Sequence, residues 1–160
     1  MPQQPSCLIV RFIAMEINNK IFFAEVERLL TEDITATILV RGNSMRPLLR
    51  DSRDKVVLRR SLESDIAIGE IMLFRYRGDC IMHRVVEIDG DKVVFAGDGN
   101  YKTQEKVRRM DVIARVEAVV RPSGRVVKCD SLRWRTMSRA WLILPRELRR
   151  IILGVMRRIN

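Results

Sequence analysis

At 160 residues the chain has room for one domain and not for two large ones. Hydrophobic residues at 47% and charged residues at 31% match an average globular composition, which excludes a disordered tail, a collagen-like repeat and a polytopic membrane protein. The net charge of +10 is uneven: residues 1–120 hold 19 Lys/Arg against 18 Asp/Glu, whereas residues 121–160 hold 11 against only Asp130 and Glu147.

The chain begins Met1-Pro2-Gln3-Gln4-Pro5-Ser6, without the basic region of a secretory signal, and its apolar stretches are too short to span a bilayer. A cytoplasmic location is the default expectation. From Asn18 or Asn19, Phe22, Val26, Leu29 and Leu30 recur at helical spacing up to Thr31. β-Branched runs at 35–40, 55–59, 70–76, 80–88, 92–96 and 112–120 then predict short strands, with Asp89-Gly90 as a hairpin signal. Arg121-Pro122-Ser123-Gly124 is a further turn before a strand over 126–128. After Asp130-Ser131 the pattern is helical again: Trp141, Leu144, Leu148, Ile151, Ile152, Val155 and Ile159 form a stripe, interrupted by Pro145. These elements divide the chain into an N-terminal segment and helix (1–33), a β-rich core (34–128) and a basic amphipathic tail (129–160). The fold class expected is mainly β, a compact antiparallel domain with flanking helices.

Three Cys (Cys7, Cys80, Cys129) without CxxC spacing suggest free thiols in a reducing compartment. A single histidine provides no metal-ligand cluster, so neither a metal nor another cofactor is expected.

Three segments carry residues suited to chemistry. In Arg41-Gly42-Asn43-Ser44-Met45-Arg46-Pro47 a serine leaves a strand through a glycine turn, and a proline stiffens the exit. A nucleophilic serine needs such rigidity and a backbone N–H to receive an oxyanion. His83, in Cys80-Ile81-Met82-His83-Arg84-Val85, lies on a predicted strand beside Ile81 and Val85, where it is either a satisfied half-buried histidine or a general base. Gly97-Asp98-Gly99-Asn100 is an acidic turn, which alone reads as a simple Asx turn.

Taken together, Gly42-Asn43-Ser44-Met45-Arg46-Pro47, Gly69-Glu70-Ile71-Met72-Leu73-Phe74, His83-Arg84-Val85-Val86 and Gly97-Asp98-Gly99-Asn100 resemble, in order, the boxes of the type I signal peptidase superfamily. That superfamily includes the self-cleaving SOS-type repressors. The resemblance covers about residues 36–127 and implies a coiled, partly open β barrel of the peptidase type. It implies a serine endopeptidase that cleaves extended peptides after small residues. His83 stands where most bacterial relatives have lysine, which is similar to the Ser-His branch. On this resemblance Ser44 is the nucleophile, His83 the general base and Asp98 the acidic partner, with Glu105 or neither as the alternatives. Gly42, Asn43, Met45 and Pro47 would form the substrate-binding surroundings.

Two other functions fit the same boxes: a catalytically silent peptide- or membrane-binding module, and, less well, a self-cleaving repressor, for which residues 1–43 are too short. The partner expected is a peptide or protein substrate, not nucleic acid. For the basic tail, Ser131 to Asn160, two readings stand. The helix packs its stripe on the β domain, or it lies on an anionic membrane surface with Trp134 and Trp141 at the interface.

Overall fold

The computed structural model describes residues 19–100 and 102–158. Helix α1 (Asn19–Thr31) precedes strands β1 (Ala36–Leu39), β2 (Lys55–Arg60), β3 (Ile71–Tyr76), β4 (Asp79–Asp89), β5 (Lys92–Ala96), β6 (Gln104–Arg108), β7 (Val112–Val120) and β8 (Val126–Lys128). Helices α2 (Leu132–Ile143) and α3 (Arg146–Arg158) complete it. All strand pairings are antiparallel, in the order β1-β2-β7-β3-β4-β5-β6, with β8 added to the far end of β7. Register shifts at Val57/Leu58, Leu73/Phe74 and Val85/Glu87 sharpen the twist, and the sheet curls into a half-barrel.

The curl buries both faces of β3, which is why Ile71-Met72-Leu73-Phe74 reads as an unbroken apolar run. Ile71 and Leu73 join a core with Val26 and Leu30 of α1, Val56, Val116 and Trp134. Met72 and Phe74 join a second core with Val85, Val93, Phe95 and Val107, in which the Phe74 and Phe95 rings stack with centroids 3.9 Å apart. Emptying either ring's site would cost about 3–5 kcal/mol. The tight β4–β5 turn places its left-handed φ on Gly90, and Asp89 pairs directly with Lys92.

One element departs from the sequence reading, and the break of the tail at Pro145 agrees with it. Strand β6 was not expected, because Gln104-Glu105-Lys106-Val107-Arg108 has one aliphatic residue; its alternation of exposed and buried positions is nevertheless strict. The tail is two helices, because Pro145 lacks the N–H that would continue α2. Ser131 caps α2 by accepting a hydrogen bond from the Trp134 N–H.

Trp134 and Trp141 are 3% and 5% exposed, so neither is available to a membrane interface; they are the means by which α2 packs on the body. Among the described residues no helix is long and apolar enough to cross a membrane. Cys7 and Ile159 lie outside the described residues.

Candidate active site

Ser44 sits in a loop between β1 and β2 that is stapled across its base. The Val40 N–H donates to the Asp54 carbonyl at 2.9 Å and the Ser52 N–H to the Val40 carbonyl at 2.8 Å. The Gly42 N–H donates to Asp51 Oδ1 at 2.8 Å, and Gly42 itself has φ +85°, a conformation that a side chain would strain. Buried Asp54 receives the Arg50 N–H and the Arg121 guanidinium on the same oxygen, at 2.9 and 2.5 Å. Met45, Leu48 and Leu49 anchor the loop's inner side in the core. This places Met45, expected beside substrate, at 2% exposure inside the protein. Gly42 and Asn43 are exposed, and Ser44, Arg46 and Pro47 are half-buried. The Ser44 N–H donates to no described residue, which leaves it open to an acceptor.

His83 occupies the middle of β4, opposite Met72 of β3, and Phe74 stands beside it with ring centroids 6.4 Å apart. Its Nδ1 lies 2.8 Å from Glu105 Oε2, and both side chains are buried. A carboxylate only accepts, so this bond places the imidazole proton on Nδ1 and leaves Nε2 with its lone pair free. Glu105 reaches the ring from β6, two strands away, because 105 and 107 are the inward positions of that strand.

The Gly97-Asp98-Gly99 turn joins serine loop to histidine. A Cβ at Gly97 would stand 2.5 Å from the Ser44 carbonyl oxygen and 3.2 Å from His83 Nε2. One at Gly99 would stand 2.8 Å from the Asn43 carbonyl oxygen. Both glycines are thus demanded by backbone packing, and the Gly99 N–H donates to the Ser44 carbonyl at 2.7 Å. No hydrogen bond joins Ser44 Oγ to His83 Nε2; what the fold brings together across Gly97 is the serine backbone and the free ring nitrogen.

No protein-family model matches the chain, and no curated protein does either.

Asp98 does not face His83. Its two oxygens take the Nε and Nη2 of Arg84 at 2.8 and 2.6 Å, and Arg84, fully buried, also donates through Nη1 to the Gly69 carbonyl at 2.7 Å. Successive side chains of a strand point to opposite faces, so His83 and Arg84 engage different carboxylates on the two sides of β4. The carboxylate expected at the histidine is therefore a clamp on the turn, and Glu105 takes the other place. Trp141 Nε1 donates to the Asp98 carbonyl at 3.2 Å, which ties α2 to the same turn. The alternation of residues 104–108 was the signal that could have separated the two acids.

Cys80 and Cys129 are free thiols. Burial, with a smaller contribution from the Glu70 charge, pushes the Cys129 thiol up to about 12.

Proposed function

We propose that this chain is a serine endopeptidase resembling the Ser-His branch of the signal peptidase superfamily, with a peptidase-type β barrel. Ser44 is its nucleophile, His83 its general base, and Glu105 the residue that orients the base. The observation that carries this reading is the state of His83: a buried imidazole whose Nδ1 is held by a carboxylate and whose Nε2 is free beside the serine backbone. A merely structural histidine has no need of a second nitrogen kept free beside a serine.

In the reaction, Ser44 Oγ attacks a peptide carbonyl while His83 Nε2 takes the hydroxyl proton. Glu105 accepts from Nδ1 and stabilises the imidazolium that forms. The open Ser44 N–H donates to the oxyanion of the tetrahedral intermediate. Collapse breaks the C–N bond as His83 returns its proton to the departing amine, and water then hydrolyses the acyl-serine by the same relay. The direct Oγ–Nε2 contact forms when substrate seats, as is common where the unliganded geometry is loose.

The test is cleavage of a peptide library by the wild type beside Ser44→Ala and His83→Ala, read by mass spectrometry. Each substitution should abolish turnover, and the double variant should lose no more than either single one, since the pair acts as a unit. Cleavage that survives in Ser44→Ala, or losses that simply add, would refute the assignment. A folded wild type that cleaves nothing and is not phosphonylated at Ser44 by a fluorophosphonate would leave the silent binding module as the reading.

A further inference from the structure

Helix α3 faces the wrong way for an ordinary surface helix. Its one buried side chain is Leu153, with Arg149 and Met156 half-buried along the same edge. Leu148, Ile151, Ile152 and Val155 recur at helical spacing and form a single stripe that is turned to solvent, 46%, 61%, 36% and 51% exposed. Ile143, at the end of α2, is 80% exposed. Isolated aliphatic residues in water are unremarkable, but four in one stripe are a contiguous patch that calls for an occupant.

The other side of α3 is cationic. Arg146, Arg150 and Arg157 are exposed there. Lys102 joins Arg150 and Arg157 around a cavity of about 360 Å³, and no carboxylate is among the described residues that line it.

We propose that α3 docks on an anionic lipid bilayer, its stripe sunk into the acyl boundary and its arginines lying among the headgroups. Charge selects this occupant. The helix carries five arginines against Glu147 alone, a net excess that an anionic surface attracts and a second, equally basic copy repels. An anionic surface satisfies both faces at once, since an interfacial helix is immersed by its apolar side and held by basic residues on the other. The tryptophans play no part, because α2 buries them. Gly99 and Asn100 line the basic cavity, and the Gly99 N–H holds the Ser44 carbonyl. A docked helix would therefore lie between the bilayer and the Ser44 loop. The proposal does not depend on hydrolysis at Ser44 and is tested without it.

The experiment is co-sedimentation of the full chain with vesicles of phosphatidylcholine alone and of phosphatidylcholine mixed with phosphatidylglycerol, at low and high salt. Binding should require phosphatidylglycerol and weaken as salt rises. Ile151→Glu with Val155→Glu should lower partitioning roughly a hundredfold, and Arg150→Gln with Arg157→Gln roughly thirtyfold. All four side chains are solvent-exposed, so circular dichroism and Tm should stay at wild-type values. Three results would overturn the proposal. The folded protein could fail to sediment with phosphatidylglycerol vesicles at low salt. The Ile151/Val155 variant could bind as the wild type does, making general basicity the cause. A dimer abolished by that variant, without vesicle binding, would make a second copy the occupant.

Discussion

Alanine at Gly97 would test the geometry around Ser44 most directly. Gly97 has no left-handed φ, so alanine can adopt its backbone and the cost is steric alone. The new methyl would lie 2.5 Å from the Ser44 carbonyl oxygen, and 3.2 Å from both the Ser44 carbonyl carbon and His83 Nε2. The first contact is about 0.9 Å inside ordinary van der Waals distance, and its partner is backbone that cannot rotate away. Nor can the turn retreat easily, because Arg84 clamps Asp98 from the other side and Trp141 holds its carbonyl. Overpacking of this kind costs about 1–3 kcal/mol, and loss of the Gly99–Ser44 hydrogen bond adds about 1 kcal/mol. Urea unfolding of Gly97→Ala should therefore show about 2–4 kcal/mol less stability with an unchanged m-value. Peptide hydrolysis should fall roughly a hundredfold, the usual effect of a reacting group displaced by about 1 Å. Gly154→Ala is the control: its Cβ meets nothing within 4 Å in a helix interior, so stability should rise by up to about 1 kcal/mol. A Gly97→Ala protein within about 0.5 kcal/mol of wild type would show that the turn does not press on Ser44.

The two buried carboxylates should behave differently. Glu105→Gln preserves shape but should lower kcat/KM roughly 10²–10⁴-fold, because a neutral amide stabilises the imidazolium formed in the reaction less than a carboxylate does. Wild-type kcat/KM in this variant would remove Glu105 from the site. Asp98→Ala leaves the Arg84 guanidinium unpaired in the interior and should cost about 3–5 kcal/mol by urea midpoint; wild-type stability there would refute the clamp. The Cys129 thiol, raised from 9.0 to about 12 by burial, should resist Ellman's reagent at pH 8 until the protein unfolds. Its folded value lies above its unfolded one, so the stability it contributes is complete below about pH 9 and is lost as pH rises towards 12. A Cys129→Ser protein with the same alkaline loss of stability would show that another group is responsible.

Much of the chain could be read without coordinates where one local signal dominates. The 3.6-residue spacing from Phe22 to Leu30 became α1, and the β-branched runs became β1 to β5, β7 and β8 within a residue or two. In both cases the buried face is set by period alone. Strand β6 escaped because its backbone is recruited by the edge of β5 rather than by its own side chains. That omission had a consequence for the site, since Glu105 lies on that strand. Which carboxylate meets His83 depends on which side of β4 each neighbour faces and on how far the sheet curls, and neither is a local property. The same holds for the tail. Composition made it basic and periodicity made it amphipathic, but only packing decided that Trp134 and Trp141 go inward while Leu148, Ile151, Ile152 and Val155 stay outside. The body has a place for the apolar side of α2, and after the break at Pro145 it offers α3 little more than a seat for Leu153.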